Sequence, residues 1–225
     1  RRPVSRETGR RSIVLVATSG DTGGAIARGL ANQEGVDVVV SYPKGRVSSL
    51  QQEQLRRVAD NVYPLEVDGS FDDCLKLTEA ALADEELQQG VNLTTANSIN
   101  IGRLLPQMVY YVASSLEIER RTGAKASYII PAGNLGNAFA AVWARALGLP
   151  IGRIILAHNA NRTVPDFLQD GIWRPRPSIA TLASAMDVGN PSNMERMRAL
   201  YPTGSEIREQ LSADSVDDAA IRARI

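Results

Sequence analysis

Apolar positions along the chain fall into short runs separated by stretches whose apolar spacing is helical. The pattern predicts strands at 12–18, 36–42 and 61–67, alternating with helices at 23–33, 48–59 and 71–84. Such alternation builds a parallel sheet. A long helical pattern follows from Ile99 to Arg121, with Pro106 in its first turns or bending it. Then come a strand at 127–132, a helix at 137–147 closed by Gly148 and Pro150, and a strand at 152–158. Residues 160–177, with two prolines flanking Arg176, read as an ordered loop or short helical pieces, and helical patterns return at 180–186, 191–200 and 205–212. A last helix opens after Ser215 with an acidic first turn and is still running at Ile225, the pattern of a cut chain. The expected organisation is α/β, with a smaller lobe over 12–95 and part of a larger one over 96–225.

Two strand-to-helix junctions carry the candidate chemistry. After the apolar run that ends at Pro131, Gly133 and Gly136 bracket a tight turn before a new helix, and after Thr18 the segment from Ser19 to Gly24 does the same. Glycine lets backbone approach a ligand without a Cβ in the way, and the first amides of the following helix are unpaired donors that favour an anion. Two such loops point to a phosphate-bearing ligand held between two α/β lobes. Neither loop has the dinucleotide or P-loop spacing, and glycine at such turns also serves close packing alone.

Composition narrows the field. Lys plus Arg equals Asp plus Glu at 25 each, so no net field recruits nucleic acid or an anionic membrane. The basic start, Arg1 to Arg11, lacks interleaved aromatic residues and reads as a solvated loop. No apolar run approaches the roughly 20 residues that span a bilayer, and the one cysteine, Cys74, lies on the apolar spacing of a helix with its thiol toward the core. A cytoplasmic, reducing setting is the expectation. No cluster has metal-ligand spacing, and the single histidine, His158, ends an apolar strand in a satisfied packing or hydrogen-bonding role.

Taken with Asn97 to Arg103, Ala183 to Arg196, Tyr42 to Ser48 and Thr163 to Gly171, the two loops make the chain resemble threonine synthase. That family belongs to the pyridoxal-phosphate enzymes of the tryptophan synthase β-like fold, a two-lobed, parallel-sheet architecture. The resemblance implies pyridoxal 5′-phosphate as cofactor, its phosphate on Gly133, Asn134, Leu135, Gly136 and Asn137, with Asp21 near the cofactor's 3′-oxygen. A carboxylate beside that phenolate oxygen requires one of the two to be protonated in some states. Ser19 and Thr22 would receive the amino-acid carboxylate. Asn97, Ser98 and Arg103 would hold the phosphate of the substrate, O-phospho-L-homoserine, for which an arginine fork is well suited.

The implied reaction converts O-phospho-L-homoserine and water to L-threonine and phosphate. It requires a Schiff-base lysine, which the family carries upstream of the first loop. The only lysines here, Lys44, Lys76 and Lys125, lie outside that context and read as solvated, so the catalytic lysine is expected to be absent and the chain inactive alone. The alternatives are a threonine dehydratase or cysteine synthase of the same fold, and a noncatalytic relative that binds ligand without the lysine. A second anion site at Ser98 and Arg103 separates the first alternative, because only a substrate with its own phosphate needs one. The oligomeric state is left open.

Overall fold

In a computed structural model, which describes residues 11–18, 21–56 and 58–225, the chain divides into two units between Asn97 and Ser98. The first unit is built on β1 (Ser12–Ala17), β2 (Val36–Pro43), β3 (Val62–Val67) and β4 (Asn92–Thr95), all parallel in the order β3-β2-β1-β4. The helices between them are α1 (Asp21–Gly29), α2 (Ser49–Arg56), α3 (Phe71–Ala83) and α4 (Glu85–Gly90). Register sets Val14 beside Val38 and Val16 beside Val40, so valines from neighbouring strands form one continuous core with Val36, Val62, Tyr42 and Leu55. The Cys74 thiol lies in the interior, and burial pushes its pKa up to about 11, which leaves it a protonated apolar group.

The second unit holds α5 (Ile101–Thr122), β5 (Ala126–Pro131), α6 (Gly136–Ala146), β6 (Ile151–His158), α7 (Thr163–Asp170), α8 (Met194–Leu200), α9 (Gly204–Gln210), β7 (Ser212–Ser215) and α10 (Asp218–Arg222). Its sheet is parallel with the order β5-β6-β7. Ile130, Ile154 and Leu156 pack with Leu104, Met108, Phe139, Val142, Met194 and Met197 to make its core. Asn100 caps α5 by accepting the Gly102 N–H at 2.9 Å, and Pro106 is absorbed as the sixth residue of that helix. Gly123, at φ 68°, closes it.

The βα alternation, the long helix and the turn at 131–136 follow the sequence pattern. The differences are physical. Residues 180–186 form a single 3₁₀ turn at Ser184–Met186 instead of a helix, because their polar groups bond to carboxylates, Thr181 to Asp187 and the Leu182 N–H to Asp218. β4, α4 and β7 were not expected; β4 and β7 are short and polar, and each exists because it pairs with a stronger parallel neighbour, β1 and β6.

Glycine placement gives a direct test of the first core. A Cβ on Gly23 would stand 2.5 Å from Thr18 Cγ2 and 2.9 Å from Val40 Cγ1, whereas one on Gly29 would meet nothing within 4 Å. Gly23→Ala should therefore cost about 1–3 kcal/mol of unfolding free energy. Gly29→Ala should be neutral or stabilise by about 0.5–1 kcal/mol. Urea unfolding of the two variants checks both signs.

Candidate functional site

Parallel strands present ligands at their carboxyl ends, and in the second unit that edge is where the unusual backbone lies. After β5 the chain turns through Gly133 and Asn134 into Leu135, which has φ 61°, a left-handed conformation rare for a residue with a Cβ. Leu135 is also the N-cap of α6 and places no side-chain acceptor over the helix start, while its carbonyl takes the Phe139 N–H at 2.8 Å. The amides of Gly136, Asn137 and Ala138 precede that bond and have no acceptor within the helix. Both glycines are required by contact. A Cβ on Gly133 would come to 3.0 Å from Met186 Cα, and one on Gly136 to 2.8 Å from Ser98 Cβ.

Side chains lock this turn. Asn134 accepts the Ser192 N–H at 2.7 Å and donates through Nδ2 to Ser98 Oγ at 3.0 Å and Ser192 Oγ at 2.9 Å. Asn193, with 1% exposure, donates through Nδ2 to Ser98 Oγ at 2.8 Å and to the Asn134 carbonyl at 2.8 Å. Arg196, on the first turn of α8, donates from Nε to Asn193 Oδ1 at 3.1 Å and reaches the Ile99 carbonyl at 2.5 Å. The structure thus gathers Ser98, Gly133, Asn134, Leu135 and Gly136, and adds Ser192, Asn193 and Arg196, which side-chain chemistry alone did not single out. They lie in the Ala183 to Arg196 motif that helped carry the family resemblance, but no individual role was read for them.

Other expected residues are placed differently. Leu135 turns its side chain into the core, so only its backbone faces outward. Asn137 Oδ1 takes the hydroxyls of Tyr110 and, at 2.7 Å, Tyr111, so its side chain is engaged and only its backbone amide is left at the helix start. Asn97, expected at a substrate phosphate, is buried in the first unit. It accepts the Ala17 N–H at 2.7 Å and donates to the Ala17 carbonyl at 2.6 Å, extending the β1–β4 ladder beyond Thr95. Its carboxamide is engaged at the strand end, where it holds Ala17. Thr18 in turn accepts the Gly23 N–H at 3.0 Å. Thr22 is half-buried in the first turn of α1; Ser19 and the Asp21 side chain lie outside the described residues. Arg103 is half-buried on α5, and desolvation holds its guanidinium pKa below the usual arginine value.

Next to the loop, the carboxyl end of β6 carries a buried polar network. Asp187 accepts from Asn159 Nδ2 at 2.8 Å, Asn161 Nδ2 at 3.2 Å, and the Thr181 amide and hydroxyl at 3.0 and 2.7 Å. Burial raises the pKa of this carboxyl, with the Asp218 charge adding to the rise, while the Thr181 hydroxyl and amide and the Asn159 carboxamide oppose it. The network shapes the segment whose Met186 and Val188 lie against Gly133. His158 is buried at the end of β6 as the packing alternative expects, and its Nε2 has no hydrogen-bond partner among the described residues. Lys44, Lys76 and Lys125 are exposed, and among the described residues no acidic, histidine or cysteine cluster could hold a metal and no helix is long and apolar enough to cross a membrane. A cavity of about 330 Å³ between α7 and β7 is lined by Arg162, Leu168, Gln169 and Asp214, and none of the expected site residues lines it.

Comparison with known proteins gives this geometry a context. Residues 4–222 match the family described as pyridoxal-phosphate dependent enzyme. Threonine synthase of Escherichia coli is 41% identical over 205 residues, 91% of this chain and 48% of that protein. Its crystal structure superposes with a TM-score of 0.87 at 39% identity, covering 96% of this chain and 51% of that one. The pyridoxal-phosphate-bound threonine synthase of Brucella melitensis gives a TM-score of 0.76 at 32% identity, covering 95% of this chain and 52% of that one. The chain therefore belongs to the pyridoxal-phosphate dependent enzymes, with the α/β parallel-sheet fold of that family, and is threonine synthase-like; it spans about half the length of the relatives it matches.

The His158 environment sets an acid response. Burial, then the nearby Arg162 charge, lower its pKa from 6.5 to about 4. The folded state prefers the neutral ring, so its stabilising contribution is complete above about pH 6.5 and is lost as pH falls toward 4. Urea unfolding between about pH 6.5 and 5 should show a decline that His158→Leu flattens, with a full-range effect of up to about 3 kcal/mol.

Proposed function

We propose that this chain is part of a threonine synthase, acting in the conversion of O-phospho-L-homoserine and water to L-threonine and phosphate. The observation that carries the reading is the α6 start: a left-handed Leu135, no side-chain cap, and two glycines at 133 and 136 with no room for a Cβ. Backbone donors of this kind suit a phosphate, which needs several acceptor positions filled at once and gains from the helix start. The residues fit the phosphate of pyridoxal 5′-phosphate, with Gly133, Asn134, Leu135, Gly136 and Asn137 as its holders. When bound, that cofactor supplies an electron sink for carbanion chemistry on an amino acid.

The chain's own contribution is positioning. Residues 98–225 form the lobe for the cofactor phosphate, to which the Ser98 hydroxyl at the α6 start is a further donor, and Arg103 offers a cation to the substrate phosphate. Residues 12–95 form the lobe whose loop at Ser19 and Thr22 takes the amino-acid carboxylate, held in register by Asn97 through Ala17. Asp21 is assigned to the cofactor on resemblance to the family alone. An arginine for a second phosphate favours threonine synthase over a dehydratase or cysteine synthase. None of the three lysines is buried, so we assign none of them the Schiff-base role.

Two measurements test the proposal. Titration of the purified chain, followed by tryptophan fluorescence, should show pyridoxal 5′-phosphate binding at least tenfold more tightly than pyridoxal. Gly136→Ala should remove that preference, and equal affinities would overturn the phosphate assignment. Incubation of the chain with pyridoxal 5′-phosphate and O-phospho-L-homoserine should release no threonine; threonine formation would show that one of Lys44, Lys76 or Lys125 serves after all.

A further inference from the structure

Ser98 can be read one step further than its identity as a hydroxyl. Its Oγ receives two N–H donors, from Asn134 Nδ2 at 3.0 Å and Asn193 Nδ2 at 2.8 Å. A serine oxygen has two acceptor positions and one proton. With both acceptor positions filled, the proton must point along the remaining direction, away from the two amides. The orientation of each amide is fixed by a group that can only donate. The Ser192 backbone N–H holds Asn134 Oδ1 at 2.7 Å, and the Arg196 Nε–H holds Asn193 Oδ1 at 3.1 Å. Neither carboxamide can flip without placing two donors face to face.

From this geometry we infer that Asn193 and Arg196 are positioning residues that make Ser98 an obligatory hydrogen-bond donor to a phosphate oxygen at the α6 start. The inference rests on the phosphate reading of that loop and adds a specificity device to it. Ser98 Cβ lies 2.8 Å from where a Cβ on Gly136 would be, so its hydroxyl stands against the first residue of the helix whose amides lack acceptors. A serine free to rotate can greet an anion, a water or another donor equally. A serine whose rotor is set beforehand presents only a donor, and its ordering is complete before the ligand arrives. The chain of dependence runs from Arg196 through the buried Asn193 to Ser98, across residues distant in sequence.

A double-mutant cycle tests it with inorganic phosphate as the probe, its affinity read by ³¹P NMR titration of the purified chain. Ser98→Ala and Asn193→Ala should each weaken binding about tenfold, and the double variant should be within about twofold of Ser98→Ala, because Asn193 acts through the hydroxyl. Losses that multiply to about a hundredfold would overturn the inference, since Asn193 would then merely support the loop. Where Asn193→Ala does not fold, Arg196→Met takes its place in the same cycle. If the unmodified chain binds no phosphate, the phosphate reading falls and the anion with it. The rotor is then judged by exchange of the Asn134 and Asn193 side-chain amide protons: slow exchange that Ser98→Ala accelerates upholds it, and unchanged rates overturn it.

Discussion

A parallel strand that ends inside a protein leaves backbone groups its ladder no longer pairs, and the architecture here depends on asparagine carboxamides taking over at those points. A carboxamide offers a donor and an acceptor in one plane, the same pair that a neighbouring strand would present. Asn97 meets both polar groups of Ala17 where β4 has run out. Asn61 serves the opening of the sheet, donating to the Leu30 and Val36 carbonyls and accepting the Asn32 N–H. Beyond β6, Asn159 donates to the Ala183 carbonyl and Asn161 pairs both polar groups of Ile179, and Asn134 and Asn193 serve backbone groups beyond β5. Each left unpaired would cost about 1–3 kcal/mol, so these side chains fix loop conformation as firmly as the valine layers fix the sheets.

The same constraint explains what could be read from the sequence. Strands such as Ser12–Ala17 and Ile151–His158 declare themselves because burial demands apolar runs, and α6 declares itself through glycine before a helical pattern. The segment Asn92–Thr95 has no such run; its strand character comes from pairing with Ser12 to Leu15. Ser212–Ser215 is a strand for the same borrowed reason. Residues 180–186 have helical spacing yet are held by Asp187, whose acceptors draw the Thr181 amide and hydroxyl and so replace the local bonds a helix would use. The Leu182 N–H is taken in turn by Asp218 at 3.0 Å, so local propensity lost there to side-chain carboxylates, one of them 36 residues away.

The candidate site shows the same division. The glycine turn was legible from its own residues, whereas Ser98 and Asn134 were singled out only through the family resemblance; the structure brings the two together at the α6 start. The strand-end role of Asn97 was not legible, because a polar residue near a proposed phosphate and a polar residue closing a strand end look alike until the partner of its carboxamide is known. Asn193 and Arg196 were hidden for the converse reason. Their chemistry is unremarkable in sequence, and only the fold brings them to Ser98.

Leu135 joins the fold to the site. A left-handed leucine is disfavoured by about 1–2 kcal/mol, and glycine there would relieve that strain. Its side chain, however, is 2% exposed and packs in the core of the second unit, and full burial of a leucine contributes about 1.5–3 kcal/mol. Burial therefore outweighs the backbone cost. A glycine would leave the turn free to relax toward other conformations, whereas the buried leucine holds the following amides in one orientation. The helix start is kept open for an acceptor by apolar packing beneath it, and its direction is kept by asparagines around it, so the donors are arranged before any ligand is present.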